Sequence, residues 1–106
     1  MSGCTLVSTS LGSEAAARQL ADTLVQERLA ACVQVIGPVT SSYRWEGSVE
    51  TAIEWLCVAK TAEARQAAVM DRIRALHNYQ LPEIVAVPIA AGDAGYLDWI
   101  RRETAA

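Results

Sequence analysis

The longest pattern in the chain is a pair of extended segments between Ala31 and Thr61, joined at the turn sequence 45–48, Trp-Glu-Gly-Ser. Each segment runs for about 14 residues, or roughly 45 Å, whereas a typical strand has about five or six residues. A hairpin of this length overhangs a domain whose radius of gyration is near ~13 Å. Its strand edges then lack partners, so the sequence predicts an oligomer.

Apolar residues lie on both faces of this predicted hairpin. In the first arm, Val33, Val35 and Val39 share one face by alternation, and Gly37-Pro38 predicts a bulge because proline cannot donate to a strand ladder. In the second arm, the residues on one face are Ile53, Trp55, Cys57 and Ala59, with Leu56 and Val58 opposite. Helices of a small domain cover one face of such a sheet, so the other face is expected to meet a second copy.

The rest of the chain predicts two more strands and three helices. In chain order these are a strand over 4–9, a helix from Ser13 to about Leu29, a helix capped by Thr61 and ending near His77, a strand over 83–90, and a short helix capped by Asp93. The second helix is expected to bury Val69, Ile73 and Leu76.

This order of elements predicts an α+β fold of the ferredoxin-like type, β-α-β-β-α-β with a long hairpin between its second and third strands and a short C-terminal helix. Residues 1–106 are interpreted as a single domain. Right-handed crossovers place the first strand beside the third and both main helices on one face.

Composition excludes several classes of function. The net charge of −3 argues against nucleic-acid binding, which selects basic surfaces. No apolar run approaches the ~20 residues of a membrane span, and the first apolar stretch, 4–7, is too short for a signal peptide. We therefore expect a cytoplasmic protein that binds neither nucleic acid nor membrane.

The three cysteines, Cys4, Cys32 and Cys57, are widely spaced and form no Cys-x-x-Cys motif. A disulfide framework is not expected, and cysteines inside strands are usually small buried apolar residues. In an unbulged hairpin Cys32 lies about four residues, or roughly 13 Å, from the position opposite Cys57, too far for one metal ion within a chain. Two chains could still bring these thiols together.

The candidate polar residues are few. His77 at the end of the second helix is first interpreted as a helix-terminal histidine, and alternatively as a metal ligand or acid-base group with Glu83 nearby. Lys60 either guards a sheet edge or binds a carboxylate or phosphate in an interface cleft.

The aromatic residues at the hairpin tip, Tyr43 and Trp45, favour docking on a neighbouring chain over stacking on a ligand. Phosphate-binding loops, nucleophile elbows and zinc-protease motifs are absent. We therefore predict no catalytic residue and no required cofactor.

Five motifs together resemble the CutA family of divalent-cation-tolerance proteins. In order they are the sequences over 28–33 (RLAACV), 42–47 (SYRWEG), 60–61 (KT), 77–84 (HNYQLPEI) and 96–100 (YLDWI). The match runs nearly from end to end, with the motifs in the family's order and spacing. The resemblance implies a ferredoxin-like homotrimer whose hairpins pair between subunits, in a cytoplasmic protein linked to copper tolerance.

The resemblance also implies a binding site. The family motif positions that carry ligand-cleft candidates are Lys60, His77, Tyr79, Glu83, Tyr43 and Trp45, and the metal candidates are His77, Glu83 and Cys32. Cys32 and Trp99 fall on motif positions as well. The expected ligand is copper or another divalent cation, bound weakly, because Thr9 and Leu76 stand where some members carry cysteine and histidine. A second departure is His77-Asn78-Tyr79 where the family often has His-Pro-Tyr, which loosens that turn.

Alternative functions remain open at this point. A signalling trimer like the nitrogen-regulatory PII proteins, acting on an unknown protein partner, is suggested by architectural analogy, and a scaffold without a ligand is a third possibility. Acylphosphatases and RNA-recognition domains share the element order but are disfavoured. The loop after the first strand has no arginine, and that strand has no aromatic residue.

Overall fold

The long hairpin predicted from the sequence is the largest feature of the fold. In the computed structural model, which describes residues 2–105, it reaches along a molecule whose longest dimension is 44 Å. The elements are β1 (Cys4–Leu11), α1 (Glu14–Gln26), β2 (Cys32–Trp45), β3 (Ser48–Ala62), a 3-10 turn (Glu63–Arg65), α2 (Gln66–Leu76), β4 (Ile84–Pro88) and α3 (Ala94–Glu103). The α+β class and the order of elements are confirmed.

The hairpin turns at two residues that both have positive φ. Glu46 has φ of 50° and Gly47 has φ of 84°, which fits the two-residue type I′ turn that matches the twist of antiparallel strands. β2 has 14 residues and β3 has 15, so the predicted length of both arms is confirmed.

A bulge at Gly37-Pro38 changes the register within the hairpin. Ile36 pairs with Leu56, but Val39 pairs with Glu54, which leaves two residues of β2 without partners on β3. Because facing residues of an antiparallel pair share a face, Val39 lies on the face of Glu54. The expectation that Val39 continues the face of Val33 and Val35 is therefore wrong.

The sheet has the strand order β2-β3-β1-β4 with every pair antiparallel, so β1 lies beside β3 as predicted. α1 and α2 pack on one face, which we call the covered face. Its core consists of fully buried residues from both helices and from the central strands: Val7, Leu11, Ala17, Leu20, Leu24, Cys57, Ala59, Val69 and Ile73.

The opposite face, which we call the open face, is covered only at one end. There α3 packs Leu97 and Ile100 against Cys4 of β1. Along the rest of this face Ile36, Val85 and Val87 are 46–54% exposed. Apolar residues thus lie on both faces of the sheet, and the helices of the chain bury only one of these faces fully.

Helix caps and ends agree with the sequence in two of three cases. Ser13 and Asp93 accept the backbone N–H of Ala16 and Tyr96, at 3.1 and 3.0 Å. Thr61 does not cap α2: it belongs to β3, and its hydroxyl donates to the carbonyl of Leu29 at 2.6 Å.

Other boundaries differ from the predicted ones. α1 ends at Gln26, because Arg28 adopts φ of 60° and turns the chain towards β2. β1 continues to Leu11, β4 is shorter than predicted, and Leu76 is 43% exposed instead of buried. Within residues 2–105, no helix is both long and apolar enough to cross a lipid bilayer.

Candidate functional site

His77 joins the end of α2 to the end of β1 through both of its ring nitrogens. Nε2 lies 2.7 Å from the carbonyl oxygen of Ser10, which can only accept, so Nε2 carries the proton. Nδ1 then accepts the backbone N–H of Tyr79 at 3.1 Å. His77 thereby fixes the backbone that presents Tyr79, and neither ring nitrogen is free for a metal ion in this arrangement.

Tyr79 in turn reaches across to β3. Its hydroxyl donates to Oε2 of Glu54 at 2.9 Å, and its ring centroid lies 4.6 Å from that of His77. Partial burial, the hydrogen bond to Glu54 and the charge of that carboxylate raise the pKa of Tyr79 to about 12. Gly12 leaves room for this hydroxyl, since a Cβ there would lie 3.2 Å from it. Tyr79 is thus held as a protonated hydrogen-bond donor across the neutral range.

These contacts form one wall of a groove of about 900 Å³ on the open face, which we call the Glu54 groove. Its lining comes from the end of β1, the distal hairpin and the segment after α2: Ser10, Ser41, Ser42, Tyr43, Arg44, Trp45, Glu54, Asn78, Tyr79, Gln80, Leu81, Pro82 and Glu83. The groove therefore combines aromatic rings, two carboxylates and hydroxyl groups.

Four of the six predicted cleft residues line this groove: Tyr43, Trp45, Tyr79 and Glu83. His77 does not line the groove, but its ring is hydrogen-bonded to the backbone of Ser10 and Tyr79, which do. Lys60 does not reach it. Lys60 lies six positions from Glu54 on β3, about 20 Å away at strand rise, and its ammonium donates to the Tyr96 hydroxyl of α3 at 3.1 Å.

The predicted metal ligands are likewise divided. Glu83 lines the groove, whereas Cys32 pairs with Lys60 at the other end of the hairpin. With the bulge, Cys32 is three residues from the partner of Cys57 instead of four, still too far for one ion. Residues 2–105 contain no group of three His, Cys, Asp or Glu side chains placed to hold a metal ion.

Two positions noted for departing from the family pattern lie away from the groove lining. Thr9 pairs with Cys57 in the core, fully buried, and its hydroxyl has no hydrogen-bond partner within residues 2–105. Leu76 is at the exposed end of α2. A second cavity, of about 520 Å³, lies between α1 and the bulge and contains none of the predicted site residues.

Glu54 is the site residue that the sequence reasoning missed. It is only 8% exposed, although charged residues are rarely buried without a partner. The available signal was a single glutamate inside the apolar run 52–56, Ala-Ile-Glu-Trp-Leu. Alternation along β3 places it with Leu56 and Val58, but its burial could not be predicted without knowing that the segment after α2 folds back over β3.

The groove can bind a ligand through charge, hydrogen bonds and aromatic contact. One carboxylate is buried and one is exposed, the Tyr79 hydroxyl is a fixed donor, and three rings are partly exposed. This inventory suits recognition of a small cationic or polar ligand.

Comparison with known proteins gives the family. The family model described as CutA1 divalent ion tolerance protein matches residues 5–103. The divalent-cation tolerance protein CutA of Thermus thermophilus is 49% identical over 92 residues, covering 87% of this chain and 89% of that protein.

Solved structures agree with that match. The crystal structure of CutA from Xylella fastidiosa superposes with a TM-score of 0.93 at 38% identity, covering 96% of this chain and 98% of that one. A CutA from Archaeoglobus fulgidus, described as a periplasmic divalent cation tolerance protein, gives a TM-score of 0.92 at 35% identity, covering 95% and 98%. The family is described by tolerance to divalent ions and not by a catalysed reaction. With the sheet order, the long hairpin and the sequence motifs in agreement, the chain belongs to the CutA1 divalent ion tolerance protein family.

Proposed function

We propose that this chain acts in divalent-cation tolerance as a homotrimer that binds metal ions or a small ligand in clefts between its subunits. Family membership supports the tolerance function. The observation that carries the assembly is the open face, where Ile36, Val85 and Val87 are about half exposed in a single chain. Burial of contiguous apolar surface by a second copy stabilises such a face.

The division of the predicted cleft residues also supports assembly. Tyr43, Trp45, Tyr79 and Glu83 meet at the Glu54 groove, and Lys60 stands on the same open face beyond the reach of its own groove. Packing of chains around a threefold axis lets the Lys60 end of one chain approach the groove of the next. A cleft that uses all these residues then belongs to two chains.

A metal ion in this cleft would be held weakly. His77, the best copper ligand by residue type, uses both nitrogens within its own chain, so Glu83 is the predicted ligand that remains accessible in the groove. Cys32 could join it only from another chain. Weak binding therefore remains the expectation.

The assembly is tested by sedimentation or light scattering at micromolar concentration, with three chain masses expected. Calorimetric titration with copper and zinc then tests the ligand, using the unmodified chain, Glu83→Gln, Cys32→Ser and His77→Ala. We expect Glu83→Gln to weaken binding by about tenfold, or ~1.4 kcal/mol, and the exposed control Glu14→Gln on α1 to leave it unchanged. A stable monomer would refute the trimer. Equal titration curves for all variants would remove metal from the cleft.

We also propose a cytoplasmic location, which cell fractionation with compartment markers tests. Recovery with periplasmic markers would place this chain with the protein of Archaeoglobus fulgidus as that one is described. The signalling alternative rests on architectural analogy alone and stays a prediction.

A further inference from the structure

Glu54 is a buried carboxylate that lacks a positively charged partner in its own chain. Its only hydrogen bond within residues 2–105 comes from the neutral hydroxyl of Tyr79, to one of its two oxygens. The side chain is 8% exposed, and its accessible side faces the groove. Burying a carboxylate without a countercharge is costly, so this position favours a cation supplied from outside the fold.

The two basic residues of the hairpin, Arg44 and Lys60, do not supply that cation. Arg44 lines the groove, yet the ion pairs within the described residues involve only other arginines: Arg18, Arg72, Arg74 and Arg101. Strand alternation places Arg44, the partner of Val49, on the hairpin face opposite to Tyr43 and Trp45. Lys60 is directed to Tyr96 at the other end of the sheet.

The walls of the groove are suited to an organic cation. Tyr43, Trp45 and Tyr79 are each partly exposed and line the space next to Glu54. Aromatic faces attract ammonium and guanidinium groups, and a carboxylate beside the rings adds a charged hydrogen-bond acceptor. A bare divalent ion instead needs several oxygen, nitrogen or sulfur ligands, and residues 2–105 provide no such group of three.

We propose that the Glu54 groove binds an ammonium or guanidinium group, held by the Glu54 carboxylate between the rings of Tyr43, Trp45 and Tyr79. This inference rests on the proposed function only in placing a ligand in the same cleft. The cation has two possible sources with the same chemistry. One is a small-molecule amine, and the other is the Lys60 side chain of a second copy, whose position on the open face leaves it without an acidic partner in its own chain.

The test uses n-butylammonium near neutral pH as the probe, with the neutral alcohol 1-butanol as its uncharged analogue. Binding to the full chain is followed by chemical-shift changes of the Trp45 and Tyr79 signals and by thermal-shift measurements. The variants are Glu54→Gln, which removes the charge with little change in shape, Glu14→Gln as the exposed control on α1 away from the groove, and Lys60→Met. Circular dichroism confirms that each variant retains the fold.

Two results support the proposal. Butylammonium binding that is equal in the unmodified chain and in Glu14→Gln, and that Glu54→Gln weakens at least about tenfold, assigns the site to a free amine. Butylammonium bound only after Lys60→Met, with loss of that binding in Glu54→Gln/Lys60→Met, assigns the cation to Lys60 of a second copy.

Two results overturn it. One is the absence of butylammonium binding in both the unmodified chain and Lys60→Met. The other is binding that Glu54→Gln leaves unchanged or that 1-butanol reproduces. Because the trimer and metal binding are measured in separate experiments, neither of these two results decides the proposed function.

Discussion

The two faces of the sheet differ in how fully the chain itself buries their apolar side chains. On the covered face, helices α1 and α2 bury Val7, Leu24 and Ile73 almost completely. On the open face, α3 covers only the end near Cys4, and Ile36 and the β4 valines remain about half exposed. The covered face therefore stabilises the fold of a single chain, whereas the open face leaves apolar surface available for contact with another molecule.

The two faces also differ in how their polar and charged side chains are hydrogen-bonded. On the covered side, the buried Thr61 hydroxyl donates to the backbone of its own chain, and the unpartnered Thr9 hydroxyl is uncharged. On the open side, Glu54 has one neutral donor and Lys60 has one tyrosine hydroxyl. Both of these charged side chains lie on the face whose apolar surface is incomplete.

The largest expected effect comes from a core truncation on the covered face. Leu24→Ala should lower the free energy of unfolding by about 2–5 kcal/mol, because Leu24 is fully buried among helix and sheet residues. Ile36→Ala on the open face should act on association instead, increasing dissociation on dilution while the circular dichroism of the chain is retained. Urea unfolding and sedimentation measure the two effects.

Val25→Ala is the matched control for Ile36→Ala, since Val25 is an exposed aliphatic residue on α1, and its effect should stay within about 0.5 kcal/mol. A small loss for Leu24→Ala would show that the covered face is not the main source of stability. An Ile36→Ala effect that does not depend on concentration would show that no second copy covers the open face.

The cysteines offer the next contrast. Burial raises the pKa of the Cys57 thiol from 9.0 to about 11, so near pH 8 its reactive thiolate should be about 100-fold scarcer than in the unfolded chain. Pulsed alkylation with peptide mass spectrometry should find Cys57 labelled at least that much more slowly in the native protein. In the same experiment, protection of Cys32 reports whether another chain covers the open face. Equal labelling of Cys57 in the native and unfolded protein would contradict its burial.

Most of the fold could be predicted from the sequence because its signals are local. The hairpin length, the bulge at Gly37-Pro38 and the Ser13 and Asp93 caps each follow from a few adjacent residues. The misplaced boundaries involve tertiary contacts. Thr61 looks like a cap in sequence, but its hydroxyl is used by the distant Leu29 carbonyl.

The candidate site was less predictable for the same reason. Family motifs identified the aromatic and acidic residues that line the groove, but not that Lys60 stands about 20 Å from Glu54 along β3. Glu54 itself was not predicted as a site residue, because its burial depends on the segment after α2 folding over β3. Such long-range facts have no local sequence signature.

A smaller loss of stability is expected from a substitution at the Gly37-Pro38 bulge of β2. A Cβ on Gly37 would lie 2.3 Å from Cδ1 of Trp55, so Gly37→Ala should force that indole to move and cost about 1–3 kcal/mol. Urea unfolding measures the loss. If the clash is the cause, the cost of Gly37→Ala should fall in a Trp55→Leu background, and an equal cost in both backgrounds would point to the backbone instead.

The smallest effect, and the most specific to the open face, is expected from Tyr79→Phe. Near pH 8 the variant should lose about 0.5–1.5 kcal/mol, because Glu54 loses its only hydrogen-bond donor within residues 2–105. The pKa of Tyr79 in the folded chain, about 12, lies above its ordinary value of 10.0. The protonated phenol therefore contributes its full stability below about pH 10 and loses it as the pH rises towards about 12.

The difference in unfolding free energy between the unmodified chain and Tyr79→Phe should consequently shrink between about pH 10 and about pH 12. Cys57 titrates in the same alkaline range in both proteins, so its contribution cancels in this difference. Tyr43→Phe is the control, since Tyr43 lines the same groove without donating to Glu54. A Tyr79→Phe variant as stable as the unmodified chain at every pH would mean that the phenol stabilises the groove by packing alone, because phenylalanine keeps the ring. Glu54 would then have no hydrogen-bond donor of consequence in its own chain, which would strengthen its need for a cation from outside.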